Sequence, residues 1–525
     1  MQMACNIIFT FLVIILLLLF LRILADIQHP YFGLQCGELK KIRVNVKGEI
    51  TLMPKFHGTV NRRDFMKGLG LAGAGLGAAA AAAPHFKDLD EVMASSDNVA
   101  PRPWWVKTVD QPAVDVDYSL MERYDQREGA FQIGLQRYFG NGDVAKGTIV
   151  VNEQNKLFSE AGAKYFNEGK PGYALRDVAL TTARGAMSGG YSFLGRQKAA
   201  TPQDRGAAKW QGTAEENFLM LRNAAKIWGA THFNVVELEP ATTKKFVWEW
   251  DHDGRKIEFE DIDVPYMTND KKAIPNAIRY AVVFYVPGSI RTNTRVGEAM
   301  GDIARCYEHF FNMQNQLMEF IRGLGYQSVG QTSNQSLTTK TGMAVLGGSH
   351  EQSRMLSAIA PIAGPTPRPG MLFTDLPLAP TKPIDAGIHR FCATCMKCSH
   401  ACPTESLSFE KEPTYEILGG FNMKGAKRFQ VNGATCRAGA NNGEVNPCRL
   451  GNWNTCMRAC TFSKLDDAIV HAAVHMTVST TSLFNGFFTN MDEFFGYNSP
   501  ITPAEWWTMD MLPFDQDLNQ GQWLK

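Results

Sequence analysis

The sequence predicts a mixed α/β (α+β) protein in which a layered core is followed by a small cysteine-rich domain. Between residues 206 and 385, stretches with apolar residues at helical spacing alternate with short, continuous apolar runs typical of buried strands. Eight of the eleven cysteines fall between Cys392 and Cys460, and the first four have the spacing of a bacterial ferredoxin. We therefore expect strands and helices to form the core and the cysteines to form a separate domain.

Composition restricts the class of partner. The chain has 525 residues, and its 53 Lys and Arg against 52 Asp and Glu give a formal net charge of +1. This length allows one large or two ordinary domains. The near-neutral charge provides no basis for electrostatic attraction to phosphates, so we expect no nucleic-acid partner.

The N-terminus contains two candidate targeting segments. Residues 7–24 are almost wholly apolar and just long enough to span a bilayer. Further on, Arg62-Arg63 precedes a Gly- and Ala-rich stretch, a pattern that predicts a twin-arginine export signal over residues 53–83. Two export elements in series are redundant, and Met53 would start the signal nine residues before Arg62. We therefore expect residues 1–52 to be an over-long gene prediction.

The rest of the chain divides into four regions. Residues 84–205 are rich in aromatic residues and are expected to be mostly loops. In the core, 206–385, Thr213 and Glu216 form a capping box that begins a helix ending near Gly229. Strands are expected at 232–238 and 279–286, and a long helix at 303–322. A proline-rich link at 361–383 then leads to the cysteine domain, 386–470, and the aromatic tail, 471–525, is expected to pack on the core.

The first cysteine run predicts iron–sulfur clusters. Its spacing is C-x₂-C-x₂-C-x₃-C-P, in which three thiolates bind one cluster and the fourth reaches a second. A structural zinc site is the alternative reading. The members of this run are Cys392, Cys395, Cys398 and Cys402.

The second run is irregular, and only its last pair follows the ferredoxin spacing. Its members are Cys436, Cys448, Cys456 and Cys460. A consistent assignment gives one [4Fe–4S] cluster to Cys392, Cys395, Cys398 and Cys460. The other then belongs to Cys402, Cys436, Cys448 and Cys456, with a [3Fe–4S] cluster as the alternative there.

Several segments, taken in order, resemble one family. They are Arg62-Arg63-Asp64-Phe65-Met66-Lys67, Lys209-Trp210-Gln211-Gly212-Thr213, Phe320-Ile321-Arg322-Gly323-Leu324-Gly325-Tyr326, Thr374-Asp375-Leu376-Pro377-Leu378-Ala379-Pro380 and Phe484-Asn485-Gly486-Phe487-Phe488. From about Met53 to the C-terminus, the chain resembles the catalytic subunit of respiratory, corrinoid-dependent reductive dehalogenases exported by the twin-arginine route. No Asp-x-His-x-x-Gly motif is present, which fits a cobalt whose lower face stays open.

This resemblance implies a fold, cofactors and partners. The fold would be a nitroreductase-like core that binds a base-off cobamide, beside a ferredoxin-like domain with two [4Fe–4S] clusters. The enzyme would remove halide from a small organohalide during anaerobic respiration. Its partners would be a respiratory electron donor and a small integral membrane anchor protein, at the outer face of the cytoplasmic membrane.

The resemblance also implies an active site with a tyrosine proton donor, an asparagine and a basic residue. Tyr307 matches the tyrosine and Asn334 the asparagine, and both would contact the cobamide. Arg368 is the best candidate for the basic residue, with Lys340 and Arg354 left open. Cleavage of a carbon–halogen bond needs two electrons and one proton, and a tyrosine can donate that proton. The neighbouring Cys306 is expected to be a small buried residue.

Two other functions are compatible with the cysteine pattern. One is a cobamide enzyme similar to epoxyqueuosine reductase, which the export signal disfavours. The other is an exported two-cluster electron-transfer protein, which the size of the region before Cys392 disfavours.

Overall fold

The computed structural model describes residues 105–183, 191–286, 288, 300–355, 357–361, 363–365, 368–451, 455–463, 469–494, 496 and 499–509, with short strands at 43–44 and 50–51. The segments predicted at 7–24 and 53–83 lie outside these residues. The chain divides into two units, 1–69 and 70–525. In the first, β1 (Arg43–Val44) pairs antiparallel with β2 (Ile50–Thr51). The second unit contains everything described below.

Among the described residues before 206, three α-helices occupy most of 133–183, so the expectation of mostly loops was wrong for that part. The regular elements of the second unit before residue 206 are β3 (Lys107–Thr108), α1 (Ile133–Phe139), α2 (Val144–Asn167) and α3 (Leu175–Ala183), with 3₁₀ turns at Tyr118–Leu120, Gln126–Glu128 and Gln203–Arg205. Asp143 caps α2 by accepting a hydrogen bond from the backbone N–H of Lys146 at 3.1 Å. Only Gly147 and Val151 of α2 are buried, so the apolar periodicity that would reveal this helix is weak.

The regular elements of the core region include the two helices and two strands that the sequence predicts, along with others that it did not predict. They are α4 (Ala214–Ile227), β4 (His232–Glu237), β5 (Lys256–Glu260), β6 (Tyr266–Met267), β7 (Lys271–Pro275), β8 (Tyr280–Val286), α5 (Met300–Gly323), β9 (Ser328–Gly330), α6 (Lys340–Leu346) and β10 (Arg368–Thr374), with a 3₁₀ turn at Thr243–Phe246. The capping box of α4 is confirmed, because Thr213 and Glu216 each accept a hydrogen bond from the other's backbone N–H. The two predicted strands and the long helix are also confirmed.

A four-stranded antiparallel sheet separates two apolar layers. Its strand order is β4-β8-β10-β9. Alternation along β8 sends Val282, Phe284 and Val286 to the layer that contains α4 and α5, and Val283 and Tyr285 to the layer that contains α6. A smaller sheet places β7 between β5, which is parallel to it, and β6, which is antiparallel.

Strand β10 corrects a second expectation. Its residues were assigned to a proline-rich link, yet the strand is central in the sheet, between β8 and β9. Pro369 is only its second residue, so the missing N–H falls near the start of the strand, where a proline is tolerated.

The cysteine domain is built from short elements around a third apolar cluster. They are β11 (Ile384–Asp385), α7 (Ile388–Cys395), α8 (Lys397–His400), α9 (Gly433–Arg437), β12 (Ala440–Asn441), β13 (Glu444–Val445), α10 (Pro447–Gly451) and α11 (Thr455–Ala459). Strand β11 pairs antiparallel with β3, and β12 with β13.

The C-terminal tail packs on the cysteine domain rather than on the sheet core, which corrects a third expectation. Its helices are α12 (Ile469–Thr480), α13 (Asn485–Phe494) and α14 (Pro503–Trp507). Both α12 and α13 contact α7, and the indole N–H of Trp507 donates to Asp177 of α3 at 2.9 Å. No helix within the described residues is both long and apolar enough to cross a membrane.

Candidate active site and cysteine centres

The first group of cysteines surrounds a cavity beside α7 and α8. Met396, at a φ of 52°, separates the two helices and lets the chain turn between Cys395 and Cys398. The cysteines that line the cavity are Cys392, Cys395, Cys398 and Cys460.

The thiols of this group act on one another. Burial raises the pKa of Cys392 well above its ordinary value, and Cys398, Cys460 and Cys395 raise that pKa further. Burial, followed by Cys395, raises the pKa of Cys398 to about 12. Four thiolates can therefore be held here only if a group of opposite charge lies among them.

The second group consists of Cys402, Cys436, Cys448 and Cys456. Burial raises the pKa of Cys456 well above its ordinary value, and Cys448 and Cys436 raise it further. Burial, followed by Cys448 and Cys402, raises the pKa of Cys436 to about 12. Cys398 of the first group also raises the pKa of Cys456, so the two groups are neighbours. The two groups have the same members as the two ligand sets of the sequence-based assignment, in which Cys402 and Cys460 exchange places between the two runs.

Asn446 ties together two loops of the second group, although nothing in the sequence pattern distinguishes it. It is buried, its side-chain amide donates to the carbonyl oxygens of Cys436 and Ala438 at 3.1 Å each, and its Oδ1 accepts from the backbone N–H of Cys448 at 3.1 Å. Within the described residues, no three His, Cys, Asp or Glu side chains are placed to hold a single metal ion. None of the nine cysteines described forms a disulfide.

Tyr307 lies half-buried on α5, next to a lysine. The Nζ atom of Lys340, at the start of α6, is 5.8 Å from the centroid of the Tyr307 ring and 4.1 Å from that of Phe310. Desolvation lowers the pKa of Lys340 well below its ordinary value, and Arg368 lowers it further. Of the two basic residues left open by the sequence, Lys340 is thus the one beside the tyrosine.

Arg368 links the surroundings of Tyr307 to the second cysteine group. Its guanidinium donates to the carbonyl oxygen of Pro365 at 3.2 Å and to the sulfur of Met457, next to Cys456, at 3.7 Å. Arg437, next to Cys436, also interacts electrostatically with Tyr307, and its guanidinium lies 3.5 Å from the centroid of the Phe131 ring. The sequence did not single out Arg437.

The other two predicted residues lie differently. Asn334 is half-buried in the loop between β9 and α6, six residues before Lys340. Arg354, the second open alternative, lines the cavity of the first cysteine group. Cys306 is buried, with 1% of its surface exposed, as predicted.

Comparison with known proteins identifies the family. The family model described as reductive dehalogenase subunit matches residues 101–378, more than half of the chain. The chain is 30% identical over 527 residues to the chloroethene reductive dehalogenase of Dehalococcoides mccartyi strain VS, which covers 87% of this chain and 98% of the relative. The chain belongs to the reductive dehalogenase family. It is an oxidoreductase, so the alternative of an electron carrier without its own reaction is set aside.

A second relative agrees with this membership, and a solved structure agrees with the fold. The trichloroethene reductive dehalogenase of Dehalococcoides mccartyi strain 195 (ATCC BAA-2266) is 30% identical over 558 residues, covering 87% of this chain and 98% of the relative. A solved reductive dehalogenase, described as B12-dependent, superposes with a TM-score of 0.52 at 16% identity, over 79% of this chain and 55% of that one. The chain thus spans about half of that longer protein, and the likeness concerns the fold.

A buried charge network underlies the Asn334 loop of this reductive dehalogenase, and the sequence did not reveal it. The Nζ atom of Lys272 lies 2.5 Å from Oδ2 of Asp251 and 2.9 Å from Oδ2 of Asp253. The same Oδ2 of Asp251 accepts a hydrogen bond from the hydroxyl of Ser336 at 2.6 Å, and Lys272 donates to Thr332 at 3.2 Å. The network therefore holds the loop on both sides of Asn334.

Proposed function

We propose that the chain catalyses the reductive removal of halide from a small organohalide, with a cobamide at the active site and two [4Fe–4S] clusters as its electron supply. One observation carries the proposal: Arg368 acts electrostatically on Lys340, which lies beside Tyr307, and donates a hydrogen bond to the sulfur of Met457, next to Cys456. A proton-donor site and an electron-transfer site would then adjoin each other.

The cysteines fit iron–sulfur clusters in number and arrangement. Each group supplies four thiols, the usual ligand set of a [4Fe–4S] cluster. Burial, followed by the mutual repulsion of the thiols, raises the pKa values of Cys392, Cys398, Cys436 and Cys456, and the positive charge of iron would offset both effects. Since Cys398 and Cys456 interact electrostatically, an electron would have only a short distance to pass between the two centres.

Unsatisfied buried polar atoms in the core region support a cobamide there. In the described part of the chain, the buried Nδ1 of His350 and Oδ1 of Asn234 have no hydrogen-bond partner. A buried polar atom without a hydrogen-bond partner destabilises the fold unless a bound group supplies that partner. A cobamide has many amide groups and a phosphate that could do so. Tyr307 and Asn334 would hold it, as the family resemblance implies. When bound, a cobamide supplies the cobalt chemistry that breaks the carbon–halogen bond.

The residues around Tyr307 suit the protonation step. Replacement of halogen by hydrogen consumes two electrons and one proton and releases a halide anion. Tyr307 would donate the proton, leaving a tyrosinate that the guanidinium of Arg368 stabilises. Lys340 interacts with Arg368 and lies beside the tyrosine ring, so it is placed to assist the return of a proton to Tyr307.

Chlorinated ethenes are the first substrates to test. The two curated relatives that match almost over their full length are named for chloroethene and trichloroethene. The reconstituted protein should release chloride from a panel of chloroethenes when supplied with a low-potential artificial electron donor. Cobalt and iron should both be present in the active protein, near one and eight atoms per chain if the proposed cofactors are complete. Cluster-containing protein without cobalt, inactive on every halocarbon, would contradict the proposal.

The location of the enzyme is part of the proposal. The Arg62-Arg63 segment supports export by the twin-arginine route, which moves proteins already folded around their cofactors. The mature enzyme would then work at the outer face of the cytoplasmic membrane, held by a small integral membrane anchor protein and fed by a respiratory electron donor. Replacing Arg62-Arg63 with two lysines should retain the protein on the inner side of the membrane, as cell fractionation would measure.

A further inference from the structure

We propose that Arg354 raises the reduction potential of the first iron–sulfur cluster by holding an uncompensated positive charge at the wall of its cavity. This inference rests on the proposed function, because it assumes that Cys392, Cys395, Cys398 and Cys460 bind a cluster. It concerns a residue outside the Tyr307 site and assigns it a role in electron supply.

The guanidinium of Arg354 is rigidly fixed. Only 1% of the residue's surface is exposed. Its Nε and Nη2 donate to the carbonyl oxygen of Cys392 at 3.0 and 2.9 Å, and Nη2 also donates to Ala393 at 3.3 Å. Its Nη1 donates to the carbonyl oxygens of Ser408 and Glu410 at 2.7 Å each. These five bonds match the five N–H groups of an arginine, and the ring of Phe429 lies 3.8 Å away.

Two of the acceptors belong to the last turn of α7, which carries Cys392 and Cys395. Carbonyl groups at a helix C-terminus lack partners within the helix, and a cation there is favourable. Arg354 comes from the loop after α6, so a residue of the core region supports the helix that holds two cysteines of the cavity. The four cysteines and Arg354 line the same space.

The charge on Arg354 has no carboxylate partner. Among the residues that the structure describes, no Asp or Glu forms an ion pair with it; the exposed Glu410 exerts only a weaker influence than Cys392, Cys398 and Cys395. Lys397 lines the cavity too, but its ammonium is paired with Asp492 in a buried salt bridge. The two cations therefore differ: Lys397 is neutralised, whereas the field of Arg354 is directed at the cysteines.

The consequence for electron transfer follows from charge. Reducing a cluster by one electron adds one negative charge, and a fixed cation nearby stabilises the reduced form more than the oxidised form. In a buried site this interaction is screened only weakly. Arg354 therefore makes the first cluster easier to reduce than it would be in an apolar wall. The second cluster is affected less, because the cysteines that act on Arg354 are Cys392, Cys398 and Cys395, all of the first group.

Redox titration of the reconstituted holoenzyme, followed by electron paramagnetic resonance, tests the proposal. Titration of C448S, which lacks a ligand of the second group, assigns the two midpoint potentials. R354Q should shift the potential of the first cluster to more negative values and leave the second nearly unchanged, whereas R354K should stay close to the wild type. R390Q is the matched control, because Arg390 is on α7, the helix whose carbonyl groups Arg354 binds, but is 48% exposed and paired with Asp385; the potentials of R390Q should not differ from those of the wild type.

The outcomes separate this proposal from the proposed function. If the wild-type protein binds no clusters, the proposed function fails first. If R354Q contains both clusters with unchanged potentials, the charge of Arg354 has no effect on the cluster and the inference is overturned. Loss of the first cluster in both R354Q and R354K would also overturn it, by assigning Arg354 a purely structural role. If R354Q loses the first cluster while R354K contains it at the wild-type potential, the result would support a requirement for positive charge at this position.

Discussion

The ammonium nitrogen of Lys340 lies 5.8 Å from the centroid of the Tyr307 ring, and the charge of Arg368 acts on the same lysine. Since desolvation and Arg368 both lower the pKa of Lys340, its protonated form is disfavoured. The lasting positive charge then comes from two arginines, Arg368, which acts on Lys340, and Arg437, which acts on Tyr307. A tyrosine that donates a proton needs a lasting positive charge to stabilise its tyrosinate and a group such as Lys340 that can exchange a proton with it.

The role of Tyr307 is tested by removing only its hydroxyl. Y307F should reduce dehalogenation by about 10²-fold or more, because general acid catalysis contributes at least that much. Cobalt and iron contents should not change, since the ring keeps its packing against Phe310. Y266F is the control, because Tyr266 is an exposed residue of β6. Near-normal turnover by Y307F would exclude the donor role.

The role of Arg368 is tested with one variant that removes its positive charge and one that keeps it. R368Q should lower kcat by about 10²-fold, the usual loss when a group that stabilises developing charge is removed. R368K should recover part of that loss because it keeps the charge. In R368Q the pKa of Lys340 should rise, since one of the two causes that lower it is gone, and the pH profile of kcat should shift with it. R279Q, which alters an exposed pair with Glu237, should leave the profile unchanged. Equal profiles for R368Q and the wild type would contradict the assignment.

The irregular second cysteine run gives a prediction about iron. C448S should lower the iron content by part or all of one cluster, with the loss confined to the second group. C306S is the matched control, because Cys306 is equally a cysteine but lies in the core with 1% exposure, outside both groups. If C448S retains the wild-type iron content and spectrum, Cys448 is not a ligand.

Local patterns in the sequence predicted local structure well. The capping box of Thr213 and Glu216 begins a helix because both partners lie within one turn. The first cysteine run was recognised from its spacing because its four members lie within eleven residues of the chain. Strand β10, in contrast, depends on pairing with β8, and the contact of Arg368 with Met457 joins residues 89 positions apart. Such pairings arise from tertiary packing, which no short window of sequence contains.

The buried network beneath the Asn334 loop gives a prediction about stability. Neither Lys272 nor Asp251 is accessible to solvent. K272M should therefore destabilise the fold by about 3–5 kcal/mol, because it leaves buried carboxylates without their cation. D251N should cost less, since Asp253 still pairs with Lys272. Both should also lower turnover by loosening the loop that carries Asn334.

Anaerobic chemical denaturation measures these differences. R137Q, which breaks the partly exposed pair of Arg137 with Glu128, is the control and should leave the unfolding transition in place. A K272M protein as stable as the wild type would show that the network is not a significant source of stability.

Glu351 gives the stability of this fold a specific dependence on pH. It is 1% exposed, and one of its oxygens accepts the backbone N–H groups of Ala386 and Ile388 at 2.9 and 3.0 Å. Burial raises the pKa of Glu351 from 4.5 to about 7. Because the folded-state pKa exceeds the unfolded one, the stabilisation from this group is complete below about pH 4.5 and is lost as the pH rises to about 7.

E351Q removes the titrating group but keeps an oxygen that can accept both backbone hydrogen bonds. Between pH 5 and pH 8, the wild type should therefore lose stability relative to E351Q, by on the order of 3 kcal/mol over the full titration. Thermal unfolding of both proteins with their cofactors bound, at several pH values, measures the difference. The control is E505Q, because Glu505 is exposed in the capping box of α14 and cannot give this effect above pH 5. If the stability of E351Q and that of the wild type change in parallel with pH, Glu351 is ionised in the folded protein throughout this range. Its burial would then not raise its pKa, and this prediction would be wrong.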